Sequence, residues 1–84
     1  MDNYVMTIYI QDPKDVRDIC NIINKYDVDV DARKGRYTID AKSIVGLLMF
    51  LGTYVEICLP IFREDIANKL REDLAKWRIN HDKG

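Results

Sequence analysis

Ala41–Leu48 reads Ala-Lys-Ser-Ile-Val-Gly-Leu-Leu and carries the chain from a strand into a helix. Residues 37–39 before it are aromatic and β-branched, which favours a strand. A serine before an apolar run is a preferred first residue of a helix, because its hydroxyl accepts a hydrogen bond from a backbone N–H of the first turn. A phosphate also suits this position, since the helix dipole attracts an anion. We expect Ser43 to cap a helix over residues 44–51 that ends at Gly52.

The chain before this stretch predicts one strand and one helix. Residues 4–10 contain aromatic and β-branched side chains at the alternation of a strand. Asp12 then suits the N-cap of a helix, and Pro13 suits its first helical position. Four apolar residues follow at the spacing of one buried helical face: Val16, Ile19, Cys20 and Ile23.

The next segment predicts a hairpin. Residues 27–31 alternate aspartate with valine, which indicates a strand with Val28 and Val30 inward. Residues 33–35, Arg-Lys-Gly, are expected to form the turn, with the glycine supplying a positive φ angle. The return strand is expected to direct two side chains inward: Tyr37 and Ile39.

The remainder of the chain predicts a fourth strand and a last helix. In the strand, Val55, Ile57 and Leu59 are expected inward, and Pro60 prevents its continuation. The last helix is expected over residues 63–78. Its apolar stripe comprises Ile66, Leu70, Leu74 and Trp77.

The resulting order of elements is βαββαβα. With one polar sheet face and three helices, the economical arrangement is a four-stranded antiparallel sheet with all three helices on one face. The sequence therefore predicts an α+β, two-layer, open-faced β-sandwich. A chain of 84 residues has room for one core, so residues 1–84 are expected to form a single domain.

The composition disfavours several classes of function. A net charge of −1 does not provide the concentrated basic surface that binding to nucleic acid needs. No apolar run approaches the roughly 18 residues of a membrane span, and residues 1–4 lack the features of a signal peptide. Cys20 and Cys58 have no metal-ligand spacing and are expected to be buried thiols in a reducing compartment. We therefore expect a cytoplasmic protein that binds neither nucleic acid nor membrane.

The Ala-Lys-Ser run followed by an apolar residue resembles the regulatory-serine region of HPr, the histidine phosphocarrier of the bacterial sugar phosphotransferase system. The predicted order of elements is similar to that of HPr as well. This resemblance implies that Ser43 is phosphorylated by a dedicated kinase. It also implies that Lys42 and three helix residues contact partner proteins, the three being Ile44, Leu47 and Leu48.

The active-histidine motif of HPr, of the type Leu-His-Ala-Arg-Pro, is altered in this chain. No histidine precedes His81, which lies in a polar tail. The resemblance places Asp15 at the position of the phosphorylated histidine and Arg17 at the arginine, while Asp18 replaces the proline. Asp15 also stands three residues after Asp12, where a carboxylate closes a capping box. In the absence of the histidine and the presence of the serine, the chain is most similar to the catabolite-repression paralogue of HPr.

These observations predict a non-catalytic regulatory or interaction protein without metal or cofactor. Its expected partners are proteins, among them an HPr kinase and a regulator or a phosphotransferase component. Lys42 and Arg17 are expected to steady a phosphate on Ser43. Three alternatives stay open: an interaction module never phosphorylated at Ser43, an aspartyl phosphoacceptor at Asp15 that needs a divalent metal, and a small-molecule sensor.

Overall fold

The computed structural model describes residues 3–79 and contains the seven elements in the predicted order βαββαβα. Three helices cover one face of a four-stranded antiparallel sheet with strand order β1-β4-β2-β3, so the predicted open-faced α+β sandwich is confirmed. The elements are β1 (Asn3–Ile10), α1 (Pro13–Ile23), β2 (Asp31–Lys34), β3 (Tyr37–Asp40), α2 (Ile44–Leu48), β4 (Thr53–Leu59) and α3 (Glu64–Asp73).

Helix α1 begins and packs as its sequence predicts. Asp12 is the N-cap, and its carboxylate accepts a hydrogen bond of 3.0 Å from the backbone N–H of Asp15. Pro13 occupies the first helical position, where a missing N–H costs nothing. The buried face consists of the four predicted residues: Val16, Ile19, Cys20 and Ile23.

The core lies between the helices and the inner face of the sheet. On β4 the inward residues Val55, Ile57 and Leu59 are fully buried, as predicted. The opposite face carries polar and aromatic side chains, including Tyr9 and Tyr54, whose ring centroids are 4.9 Å apart. Cys58 is also fully buried, and neither cysteine forms a disulfide.

The predicted strand over residues 27–31 is wrong, since β2 spans Asp31–Lys34. Val30 is buried and Val28 is half-buried, so the valines pack against the core from a loop. Asp31 is the first residue of this segment that pairs with β4, opposite Cys58. The alternation of valines therefore reflects burial of one side of a loop rather than a strand.

The hairpin turn is displaced as well. Lys34 pairs with Tyr37, so the two-residue loop is Gly35-Arg36, with Gly35 at a φ of +60°. Tyr37 is 66% exposed rather than inward, because it lies beside the turn, at the end of the hairpin that projects beyond the core. Ile39, two residues further along, is half-buried against the core.

Two helices are shorter than their apolar patterns predict. Helix α2 ends at Leu48 rather than residue 51, and Gly52 follows in the left-handed region at a φ of +74°. Its N–H donates a 2.7 Å hydrogen bond to the carbonyl of Ile10, which ties this turn to the end of β1. The chain must leave the helix early to reach this partner and enter β4.

Helix α3 ends at Asp73 rather than residue 78, because the following chain pairs with the sheet. The N–H of Tyr9 donates to the carbonyl of Trp77 at 3.0 Å, and the N–H of Ile79 donates to the carbonyl of Thr7 at 3.1 Å. Leu74 and Trp77 are still buried. Residues 77–79 thus cover the outer edge of β1.

Candidate functional site

Ser43 lies at the start of α2 and caps it as predicted. Its Oγ accepts a 3.1 Å hydrogen bond from the N–H of Gly46, and its carbonyl accepts one of 3.0 Å from Leu47. Its own N–H donates to the carbonyl of Asp40 at 3.0 Å. The residue as a whole is half-buried, and its hydroxyl oxygen has a capping role.

Gly46 brings the first turn of α2 close to β3. A Cβ atom at this position would lie 2.9 Å from Cδ1 of Ile39, closer than side chains normally approach. Because glycine has no Cβ, the turn that begins at Ser43 rests directly on the Ile39 side chain. This contact fixes the position of the cap relative to the sheet.

Lys42 is anchored to the end of α1 by both its side chain and its backbone. Its ammonium donates to the carbonyl of Tyr26 at 2.6 Å, and its N–H donates to the carboxylate of Asp40 at 2.9 Å. Its carbonyl accepts hydrogen bonds from Asn24 at 3.1 Å and from the thiol of Cys20 at 3.2 Å. In this arrangement the Lys42 ammonium donates a hydrogen bond to the backbone of the same protein.

Cys20 contributes to this anchor as a protonated thiol. Burial is the main cause that raises its pKa, and the nearby charge of Asp40 raises it further, while a hydrogen bond from Asn24 acts in the opposite direction. A thiol with a raised pKa keeps its proton at neutral pH and can donate it to the Lys42 carbonyl. The loop before Ser43 is therefore held by neutral hydrogen bonds as well as by a lysine.

Helix α2 presents one apolar side to solvent and another to the core. The exposed fractions are 44% for Ile44, 69% for Val45, 39% for Leu48 and 72% for Met49. We call these four side chains, three on α2 and the last at its C-cap, the α2 surface. Ile44 and Leu48 form one i, i+4 pair, and Val45 and Met49 form another. This spacing makes two side chains neighbours on the surface of a helix. The resemblance did not identify Val45 and Met49 as contact residues. Their spacing of four residues is the feature of the sequence that could have identified them.

Leu47 does not belong to the α2 surface. Its side chain is fully buried, whereas the resemblance implied that it contacts a partner. The helix turns by about 100° per residue, so residue 47 faces inward when residues 44, 45, 48 and 49 face outward. We therefore correct the expected docking set by moving Leu47 into the core.

Asp15 acts in the cap of α1. Its Oδ2 accepts a 3.1 Å hydrogen bond from the N–H of Gln11, while its own N–H donates to Asp12. The neighbouring Trp77 indole is the main cause that lowers the pKa of Asp15, and the backbone N–H groups of Gln11 and Asp12 and the charge of Lys76 act in the same direction against burial. The Trp77 N–H is buried without a hydrogen bond of ordinary geometry.

Arg17 lies one turn beyond the cap of α1, and its side chain is 61% exposed. Its Nε is 3.5 Å from the Asp18 carboxylate, a contact between adjacent exposed residues that contributes little to stability. The hydrogen bonds of Asp15 involve Gln11 and Asp12, and those of Ser43 involve other residues. Asp15 and Ser43 thus belong to separate hydrogen-bond networks.

Among residues 3–79, no group of three or more histidine, cysteine, aspartate or glutamate side chains is arranged to hold a metal ion. His81 lies outside the described residues. None of the helices in the described part of the chain has the length and apolar character needed to cross a membrane.

Comparisons with models of protein families, with curated proteins and with solved structures find no match for this chain.

Proposed function

We propose that this chain is a divergent HPr-like interaction domain in which the α2 surface docks a partner protein and phosphorylation of Ser43 controls that docking. The domain itself catalyses nothing. One observation carries the proposal: four apolar side chains are exposed on a helix and its C-cap, and the first turn of that helix is capped by a serine hydroxyl.

The α2 surface has the character of a docking site. Scattered apolar residues on a surface are ordinary, but adjacent ones on a single helix expose a continuous patch, and such patches mark interaction sites. The outward side chains, Val45 and Met49 above all, could be buried in a partner without disturbing the core, because Leu47 alone holds the inner side of this helix. Apolar anchors of this kind commonly dominate the energetics of protein interfaces.

A phosphate on Ser43 would change the charge at the margin of this surface. Phosphorylation adds about −1.5 to −2 charges, and the Asp40 carboxylate already lies beside the Lys42 backbone, one residue away. The Lys42 ammonium is bound to the Tyr26 carbonyl, which holds it toward the end of α1. We therefore infer that the phosphorylated form favours a partner that supplies its own arginine or lysine.

Histidine phosphocarrier chemistry is not part of this proposal. The position that corresponds to the active histidine is Asp15, and one of its carboxylate oxygens already accepts the N–H of Gln11. An imidazole could accept and pass on a phosphoryl group, whereas a capping aspartate stabilises the start of α1. Asp15→Asn should therefore leave any phosphorylation of the domain unchanged.

The modification is tested by intact-mass analysis after incubation with ATP, Mg²⁺ and an HPr kinase. The expected result is a gain of one phosphate that disappears in Ser43→Ala. A true HPr labelled in parallel controls for kinase activity. If that HPr is labelled while this protein is not, the kinase-substrate part of the proposal is refuted.

The docking is tested by capture of a partner from cells of the source organism. Val45→Asp places a charge in the middle of the α2 surface at a side chain that is 69% exposed, so the fold should be unaffected. Ile61→Asp is the matched control, since Ile61 is an 82% exposed apolar residue outside α2. A protein captured by the wild type and by Ile61→Asp, but not by Val45→Asp, would support docking through α2. Equal capture by all three would count against it.

A second candidate function is an interaction module that is never phosphorylated. It is favoured by the hydrogen bond between Ser43 Oγ and the Gly46 N–H, which gives the serine a sufficient structural role without modification. This candidate predicts that docking depends on Val45 but is the same before and after kinase treatment.

A further inference from the structure

The described part of the sheet leaves one edge strand unpaired. Residues 77–79 cover the outer edge of β1 through two backbone hydrogen bonds to Thr7 and Tyr9. At the other end of the strand order lies β3, which pairs with β2 on one side only. An open edge offers a row of backbone donors and acceptors to another strand.

The hairpin register determines which groups β3 turns outward. Lys34 and Tyr37 flank the two-residue loop, so they form a hydrogen-bonded pair, and the pairs alternate from there. Thr38, opposite Arg33, is then in a non-hydrogen-bonded pair, and its N–H and carbonyl point away from β2. The N–H of Asp40 points the same way, while the Asp40 carbonyl accepts from Ser43.

The β3 edge lacks two features that commonly prevent strand pairing, a proline and a β-bulge. It contains no proline, and its register with β2 runs without a bulge from Asp31–Asp40 to Lys34–Tyr37. Tyr37 is 66% exposed on it. The charges that border the edge are of opposite sign, with Arg36 before the strand and Asp40 at its end.

We propose that two copies of this chain pair antiparallel through β3, on a two-fold axis at Thr38. Each Arg36 then lies opposite Asp40 of the other copy, and each Tyr37 lies opposite Ile39. Parallel pairing would instead place like charges together, so the charge pattern selects the antiparallel arrangement. The exposed Tyr37 ring covers the half-buried Ile39 of the other copy, and the two threonines form a central cross-strand pair.

This dimer is expected to be weak and reversible. A four-residue edge buries far less than the roughly 1,200 Å² of a standard stable interface, so association should require protein concentrations in the high micromolar range. The inference depends on β3 and not on the α2 surface, and it therefore stands or falls separately from the proposed function.

The test is sedimentation velocity over a concentration series, with two single variants that reverse charges of opposite sign. Arg36→Glu places Glu opposite Asp40, and Asp40→Lys places Lys opposite Arg36, so each variant alone should associate at least about fivefold more weakly than the wild type. An equal mixture of the two should associate again, because every charged pair in the mixed dimer is then opposite in sign. Lys34→Glu, on the inner strand β2, is the matched control and should leave association unchanged.

Thr38→Pro provides an independent variant, because it removes an outward N–H without taking a hydrogen bond from β2. It does not touch the Asp40 carboxylate, which also caps the Lys42 N–H, so it remains informative if Asp40→Lys fails to fold. Loss of association in Thr38→Pro supports pairing through β3. A wild type that stays monomeric at millimolar concentration, or a Thr38→Pro variant that dimerises like the wild type, overturns the proposal.

Discussion

Truncation of Leu47 is the sharpest test of the way α2 divides its apolar residues between core and surface. The Leu47 side chain is fully buried, and Leu47→Ala removes three carbons worth about 0.8 kcal/mol each. The cavity left behind adds to this loss, so the free energy of unfolding should fall by about 3 kcal/mol, within the usual range of about 2–5 for such changes. A domain of this size has a total stability on the order of 4–12 kcal/mol, so the loss is large.

Urea unfolding followed by tryptophan fluorescence measures this loss. Trp77 is the single tryptophan and is only 8% exposed, so its emission reports on the core. The matched control is Val45→Ala in the same helix, which should change stability by no more than about 0.5 kcal/mol because Val45 is 69% exposed. Equal effects of the two truncations, or a loss below about 1 kcal/mol for Leu47→Ala, would refute the assignment of Leu47 to the core.

Three further predictions concern single residues. Ser43→Ala should lower the free energy of unfolding by about 1 kcal/mol through loss of the cap on Gly46, and Ser43→Asp should retain most of it; chemical denaturation of both variants decides this. Asp15 has a lowered pKa, so its stabilising effect is present above its ordinary value of 3.8 and is lost as the pH falls through the folded-state pKa. Wild type and Asp15→Asn should therefore converge in stability in acid, and a stability difference that persists at the lowest pH would contradict this. Gly35→Ala should cost about 1 kcal/mol because residue 35 has a φ of +60°, and an unchanged melting temperature would contradict that strain.

The features that the sequence predicts correctly are those decided by local chemistry. The start of α1 follows from Asp12 and Pro13, whose capping and φ preferences need no distant partner. The cap at Ser43 follows in the same way. The inward faces of α1 and β4 follow from periodicity, because the side chains that face the core recur at the period of the helix or strand that carries them.

The features that the sequence misses depend on distant partners. The alternating residues 27–31 resemble a strand, but only pairing with β4 makes a strand, and that pairing begins at residue 31. The stripe of α3 continues to Trp77 because Leu74 and Trp77 are buried, yet the backbone there pairs with β1 instead of continuing the helix. Local periodicity reports burial of a side chain, and it does not report which backbone receives the hydrogen bonds.

In the candidate site, too, some features follow from local sequence and others depend on distant residues. The sequence identifies Ser43 and the apolar character of α2, whereas the core position of Leu47 depends on how the helix is rotated against the sheet. The anchoring of Lys42 depends on Tyr26 and Asn24, which lie at the far end of α1 in sequence. A resemblance in a short motif carries the residue types, and the fold decides which of them face outward.

The central claim is that Ser43 is a phosphorylation switch beside a docking helix. The most direct measurement is mass spectrometry of the Ser43-containing peptide from the protein isolated from its own cells, without an added kinase. The account predicts one phosphate, located on Ser43, in at least one growth condition. A peptide that is unmodified in every condition, in protein that still captures a partner through Val45, would contradict the switch and leave an interaction domain without it.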